Sequence, residues 1–198
     1  MSVQPKAQHT LDEYLALEAS TREKHEFFRG EIFAMGGASA LHNLIVANAL
    51  GELRQQLRGK PCRVYPSDLR VKVSPGGLYT YPDVVVACTP EQFEQPGDTL
   101  VNPTVLIEVL SESSEAYDRG AKFEQYRALP SLRAYLLIAQ DRMLVEHYAR
   151  QADDRWLLTA YNRADDIVII EALDCRIAVA EIYLNVAELN AEGGHAAL

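Results

Sequence analysis

Two acidic residues stand inside segments that are otherwise strongly apolar. Glu108 interrupts a run of valine, leucine and isoleucine over residues 104–110, and Asp83 precedes three consecutive valines in the run over residues 81–87. A buried carboxylate without a partner is strongly destabilising, or it takes up a proton instead. If the two runs form neighbouring strands, both carboxylates converge on one site, where a backbone carbonyl and water molecules would complete the coordination of Mg²⁺. The alternatives are that each carboxylate pairs with an arginine or a lysine, or that Asp83 only caps the end of a strand.

A further group of polar residues follows Glu108 along the chain. Asp118, Lys122 and Tyr126 are spaced at i, i+4 and i+8, and therefore share one face of a helix. Beside two carboxylates the ammonium group of Lys122 stays protonated, so it can orient an attacking water or stabilise the charge of a scissile phosphate. The simpler interpretation, which the spacing alone favours, is an exposed ion pair between Asp118 and Lys122 that contributes little to stability.

Two upstream residues are candidates for the same chemistry. Glu26 lies in a short hairpin, and His42 lies in the first turn of a long helix, where the helix dipole disfavours the charged imidazolium. A neutral His42 can act as a hydrogen-bond partner or a base, although a histidine that only packs the helix is the commoner arrangement. Other chemistries have little support, because the sequence contains no phosphate-binding glycine loop and no nucleophile-elbow serine.

The elements that must position these residues follow from local patterns. Thr10-Leu-Asp-Glu13 is a capping box that starts a helix, and Ser39 caps a longer helix whose apolar residues recur at helical spacing as far as Gly59. Alternating or continuous apolar runs predict strands, and a proline-containing stretch over 89–102 predicts a surface loop with some helical turn. The later predicted helices cover 113–129 and 180–189, and the strand predicted over 167–170 extends the sheet. The predicted strands are 26–29, 31–35, 63–65, 69–73, 81–87, 104–110, 134–139, 143–149, 156–161 and 167–170.

The composition is that of an ordinary globular protein, with 48% hydrophobic and 24% charged residues in a chain of 198. We expect one α/β domain over residues 10–189, between a flexible N-terminus at 1–9 and a flexible tail at 190–198. The apolar runs are too short to cross a membrane and the N-terminus lacks the pattern of a secretory signal, so we expect a cytoplasmic protein. The three cysteines are widely spaced and odd in number, and we expect them to be reduced and mostly buried.

The charge is unevenly distributed along the chain. A formal net charge of -9 argues against a protein that coats nucleic acid by electrostatics alone, because such binding comes mainly from the neutralisation of phosphates by lysine and arginine. Residues 21–72, however, contain nine basic and five acidic residues. This segment suits an enzyme that touches a polyanion locally, but an ordinary solvated helix and strand surface explains it equally well.

Several segments carry a combined signature that is quite specific, although each alone is weak. They are His25-Glu-Phe-Phe-Arg-Gly-Glu31, His42, Tyr81-Pro-Asp-Val-Val-Val86, Leu106-Ile-Glu-Val-Leu-Ser111, Tyr117-Asp-Arg-Gly-Ala-Lys-Phe-Glu-Gln-Tyr126 and Pro130-Ser-Leu-Arg-Ala-Tyr-Leu-Leu137. With these segments the chain resembles the Uma family of endonucleases, within the PD-(D/E)XK restriction-endonuclease-like superfamily. The resemblance extends over residues 10–189.

The resemblance implies a restriction-endonuclease-like α/β core, with a central mixed sheet flanked by helices, and an endonuclease that cleaves DNA with Mg²⁺ or Mn²⁺. Asp83 would be the first metal-binding carboxylate and Glu108 the second. The superfamily's lysine usually stands two residues after the second carboxylate, where this chain has Leu110, and the family resemblance moves that role to Lys122. The family and the need to span a duplex also imply a homodimer. The competing hypothesis, based on the missing strand lysine and the acidic charge, is a fold that binds nucleic acid or assembles with proteins without turnover.

Overall fold

A computed structural model of the chain describes residues 8–73, 77–94 and 98–188. Its α-helices are α1 (Leu11–Ser20), α2 (Ala40–Gln56), α3 (Glu115–Tyr117), α4 (Phe123–Tyr126) and α5 (Val179–Ile182), with a π-helical segment over Asp118–Lys122. Its strands are β1 (His25–Phe28), β2 (Glu31–Ala34), β3 (Cys62–Pro66), β4 (Arg70–Lys72), β5 (Tyr79–Thr80), β6 (Val84–Cys88), β7 (Phe93–Glu94), β8 (Thr99–Leu100), β9 (Val105–Leu110), β10 (Ala134–Ala139), β11 (Val145–Arg150), β12 (Trp156–Tyr161), β13 (Ile167–Ile170) and β14 (Cys175–Ala178). The predicted tail at 190–198 and residues 1–7 of the predicted N-terminal segment lie outside the described residues.

The main sheet has six strands in the order β12-β11-β10-β9-β6-β3. Strands β9 and β10 run parallel, and the other neighbouring strands are antiparallel. All residues of β9 and β10 are buried, which is why these strands read as continuous apolar runs in the sequence. Helix α2 covers one face of this sheet with Ile45, Ala49 and Leu53.

A second sheet of six strands, in the order β2-β1-β5-β4-β8-β7, packs on the other face of the main sheet. Val71 and Leu100 of this second sheet share a core cluster with Leu106 of β9. Helix α1 packs against the second sheet through Tyr14, whose ring contacts Phe27 of β1. The second sheet matters for the candidate site because β1 carries Glu26.

Both predicted helix starts are confirmed. The Thr10 side chain accepts a hydrogen bond from the backbone of Glu13, whose carboxylate accepts one from the backbone of Thr10 in return. The Ser39 hydroxyl accepts a hydrogen bond from the backbone N–H of His42 at 3.0 Å. Across the described ranges, every helix is too short or too polar to span a lipid bilayer.

Three predictions of local structure are wrong. Residues 167–170 do not extend the main sheet but pair with β14 in a separate two-stranded sheet. Residues 89–102 contain β7 and β8, which join the second sheet instead of forming a loop throughout. The helix predicted over 180–189 ends as α5 at Ile182, and Asn185 then adopts a positive φ of 62° before helical residues 186–188. Apolar periodicity identifies a strand but not its partner, and a turn of three residues leaves a weak signal in the sequence.

The prediction that all three cysteines are reduced is also wrong. The antiparallel register of β3 and β6 places Cys62 directly opposite Cys88, and their sulfur atoms form a disulfide. Cys175 is free and buried, as expected. The number and spacing of cysteines carry no information about which strands become neighbours, so the sequence did not reveal the pair.

Candidate active site

Neighbouring strands bring Asp83 and Glu108 to one site. In the antiparallel pairing of β6 with β9, Val84 lies opposite Ile107. Asp83 immediately precedes β6 and therefore lies opposite Glu108. The Oδ2 atom of Asp83 accepts a hydrogen bond from the backbone N–H of Val109 at 2.7 Å. Asp83 and Glu108 line one cavity of about 660 Å³.

His42 contacts the other oxygen of Asp83. Its Nε2 atom lies 3.0 Å from Asp83 Oδ1, and each of the two side chains is 15% exposed. The Ser39 cap starts α2 at the cavity, which places His42 in the first turn of that helix. A neutral imidazole that is protonated on Nε2 donates to the carboxylate, so His42 and Val109 together orient both oxygens of Asp83.

Lys122 lies at the centre of a buried group that we call the carboxylate cluster, formed by Glu26, Glu108, Asp118 and Lys122. Its Nζ atom is 3.0 Å from Glu26 Oε1, 2.9 Å from Glu108 Oε1 and 3.4 Å from Asp118 Oδ1. Between 3% and 8% of each residue in the cluster is exposed. The ion pair of Asp118 with Lys122 is therefore buried, and the simpler interpretation of an exposed pair is wrong.

The helical segment that carries Lys122 differs from the prediction. The sequence predicted one continuous helix over residues 113–129, but the structure has the π-helical segment Asp118–Lys122 between α3 and α4. A π turn is wider than an α turn and is frequent at functional sites. Both ends of the segment, Asp118 and Lys122, are buried and contribute to the carboxylate cluster.

Hydroxyl groups contact two of the carboxylates in the cluster. Tyr126 donates its hydroxyl to Glu108 Oε1 at 2.8 Å, and Thr80 donates its hydroxyl to Glu26 Oε1. Sequence reasoning identified Tyr126 from its helical spacing but missed Thr80. A threonine on a strand gives no local sign of which side chain it will meet.

The site contains more acidic than basic groups. Burial raises the pKa of Glu108 to about 8, with the ammonium of Lys122 opposing the shift and the charges of Asp118 and Asp83 adding to it. Burial alone lowers the pKa of Lys122, but the charges of Glu108, Glu26 and Asp118 outweigh it and raise that pKa well above 10.5. Burial also raises the pKa of Asp118. Lys122 is therefore an ammonium ion at neutral pH, and it does not neutralise all the carboxylates around it.

The structure brings the predicted site residues together. Tyr126 lies behind Glu108, and the other six line the cavity: Glu26, His42, Asp83, Glu108, Asp118 and Lys122. In the described part of the chain, no group of three histidine, cysteine, aspartate or glutamate side chains is arranged to hold a metal ion. Mg²⁺ needs less, because it binds through one or two carboxylates and keeps several water molecules. The carboxyl groups of Asp83 and Glu108, which line one cavity with more acidic than basic groups, fit a hard divalent cation.

The fold defines the class of the protein. It is similar to the crystal structure of a "putative nuclease belonging to DUF820" from Anabaena variabilis, with a TM-score of 0.70 and 17% sequence identity. The similarity covers 87% of this chain and 98% of that chain. The protein therefore has the same mixed α/β fold as that chain, and the predicted fold class is confirmed.

Sequence comparison defines the family. The model of the Uma2 family, described as "Putative restriction endonuclease", matches residues 11–180. The "Uncharacterized protein slr1290" of Synechocystis sp. is 37% identical over 176 residues, which are 89% of this chain and 92% of that protein. The "Uncharacterized protein sll1609" of the same organism is 39% identical over 151 residues, which are 76% of this chain and 85% of that protein. The chain belongs to the Uma2 family, as its sequence segments predicted.

Proposed function

We propose that this protein is a metal-dependent endonuclease that hydrolyses phosphodiester bonds in DNA, with Mg²⁺ or Mn²⁺ held by Asp83 and Glu108. The observation that carries the proposal is the meeting of these two carboxylates at one cavity, beside a buried lysine that remains protonated. Membership of a nuclease family adds support. A phosphate group entering the cavity would reach the carboxylates and the ammonium group together.

The chain's own residues would prepare this reaction by orientation and charge. Val109 and His42 hold the two oxygens of Asp83, and Tyr126 and Lys122 both contact Oε1 of Glu108, so the two side chains that would hold the cation are fixed in orientation. When bound, the cation would act as a Lewis acid and lower the pKa of a water molecule. Lys122 remains protonated, so it acts as a hydrogen-bond donor that orients this water or stabilises the developing phosphate charge, not as a base.

Metal binding tests the assignment directly. We expect titration calorimetry to detect binding of Mn²⁺ or Mg²⁺ to the wild-type protein and to show a large loss of affinity in Asp83→Asn, which keeps the shape of the side chain. Asp174→Asn is the matched control, because Asp174 is an exposed aspartate that pairs with Lys60 at the surface and does not line the cavity. Absence of binding by the wild type, or equal affinity in Asp83→Asn, would remove the site assignment.

Strand cleavage tests the reaction. We expect the wild type to nick or linearise plasmid DNA in the presence of Mg²⁺ or Mn²⁺, and Asp83→Asn and Glu108→Gln to lose this activity. Asp174→Asn should cleave like the wild type. Cleavage that survives in both site variants would mean that the phosphodiesterase activity comes from elsewhere.

A binding or assembly module without turnover is the second candidate function. It is favoured by Leu110, a buried leucine at the position where the superfamily usually carries its lysine, and by the formal charge of -9. Such a module would bind DNA without producing strand breaks at any metal concentration. Cleavage by the wild type but not by Glu108→Gln would dismiss it.

We further propose DNA as the partner, a homodimer as the working assembly and the cytoplasm as the location. The dimer is motivated by the need to place active sites on both strands of a duplex. Sedimentation that finds only a monomer at working concentrations would exclude it.

A further inference from the structure

The cavity is short of positive charge for a polyanionic substrate. Its lining contains four carboxylates and two lysines, Lys24 and Lys122. Lys122 is 5% exposed and is surrounded by the three carboxylates of its cluster. A divalent cation would offset the remaining negative charge. A second phosphate of the same strand would then need another positively charged side chain, one that is not already paired with buried carboxylates.

Lys24 is placed to be that cation. It lies immediately before β1, and the hairpin pairing continues through it, because its carbonyl accepts a hydrogen bond from the backbone of Met35 at 2.9 Å. Residues i and i+2 of an extended chain point to the same side, so Lys24 and Glu26 share a face and are separated by about 7 Å along the chain. The ammonium group of Lys24 also lies 5.7 Å from the ring centre of Tyr81, two residues before Asp83.

The present partners of Lys24 leave its charge available. Its Nζ atom donates to the carbonyl of Ser67 and to Asp68 Oδ1, both at 3.0 Å, and more weakly to Ser67 Oγ at 3.4 Å. The side chain of Asp68 is 86% exposed and that of Lys24 is 33% exposed. Exposed ion pairs contribute little to stability, and an ammonium group has three donors, so a phosphate can replace Asp68 while the carbonyl contact persists.

We propose that Lys24 binds a phosphate of the nucleic acid backbone next to the phosphate that is cleaved. The inference rests on the proposed function and names part of the substrate-binding surface of that site. Lys24 is a binding residue with no part in the chemical step. Its loss therefore raises KM and leaves kcat and metal affinity close to those of the wild type.

Lys24→Gln tests the proposal against a matched control, Lys60→Gln. Lys60 is equally exposed at 33%, donates to the carbonyl of Leu173 at 3.0 Å and pairs with exposed Asp174 at 3.2 Å, but it is not among the residues that line the cavity. Binding of a fluorescein-labelled DNA duplex is measured by anisotropy over a series of salt concentrations, with Ca²⁺ in place of Mg²⁺ to limit turnover.

We expect Lys24→Gln to bind about tenfold more weakly and the slope of log affinity against log salt to fall by about one. Lys24→Arg, which keeps the charge, should restore both quantities, and Lys60→Gln should match the wild type. In cleavage assays, Lys24→Gln should show a raised KM with an unchanged kcat.

If the wild type cleaves DNA, two results would overturn the inference about Lys24 and leave the proposed function intact. One is a Lys24→Gln protein that binds DNA like Lys60→Gln. The other is a weakened Lys24→Gln that Lys24→Arg does not restore, because that pattern indicates a structural role for the contact with Ser67. A wild-type protein that neither binds nor cleaves DNA removes the proposed function together with this inference.

Discussion

Glu108→Gln removes the charge of Glu108 but keeps its shape, so the effect of this substitution on stability should depend on pH. In the metal-free folded protein, burial raises the pKa of Glu108 to about 8, from an ordinary value of 4.5 that applies to the unfolded chain. Between these values the folded protein binds one proton more than the unfolded chain. Glu108 therefore stabilises the folded protein fully at pH values below 4.5, its pKa in the unfolded chain. As the pH rises from there to its folded-state pKa, this stabilisation falls by about 1.4 kcal/mol per pH unit.

The glutamine variant lacks this dependence. Its side chain can still accept the hydrogen bonds of Tyr126 and Lys122, but it has no proton to lose. Between about pH 5.5 and about pH 7.5, the free energy of unfolding of Glu108→Gln should therefore rise by roughly 3 kcal/mol relative to that of the wild type. To a first approximation Asp118 titrates in the same way in both proteins, so its contribution cancels from the difference.

Urea unfolding in the presence of EDTA measures this difference. Trp156, the single tryptophan, packs edge-on against Phe123 and provides the fluorescence signal. Glu124→Gln is the control, because Glu124 is an exposed glutamate on α4 and does not line the cavity. A difference between Glu108→Gln and the wild type that stays flat over this pH range would refute the raised pKa of the buried Glu108 carboxyl group.

Three further predictions concern stability and covalent structure. Lys122→Met removes the ammonium group among three buried carboxylates, and urea unfolding near neutral pH should show a loss of roughly 3–5 kcal/mol; a loss within experimental error would contradict the buried cluster. Ser39→Ala removes the cap of α2 and should cost about 1 kcal/mol in the same measurement, whereas Ser39→Thr should keep most of the stability. Thiol titration of the denatured protein should detect only Cys175 before reduction and all three cysteines after it, and three thiols without reductant would exclude the bond between Cys62 and Cys88.

The sequence was sufficient for features that depend on a few adjacent residues. The caps at Thr10 and Ser39 predicted where two helices begin, because a cap joins groups only three residues apart. The run around Glu108 predicted a strand buried on both faces, and a charge on such a strand requires a partner wherever it lies. The same reasoning selected Asp83, and the segments around both residues, combined with four others, were specific enough to predict the family.

Only the tertiary structure decided which groups meet. The cavity is built from two sheets, α2 and a π-helical segment, and the alternation of apolar residues shows neither that a second sheet exists nor that Lys122 is buried. The pairing of Cys62 with Cys88 and the separation of residues 167–170 from the main sheet depend in the same way on strand neighbours. Backbone propensity and the tendency of a residue to be buried depend on short segments, so the sequence of a segment predicts them. Which strands and side chains become neighbours depends on the packing free energy of the whole chain.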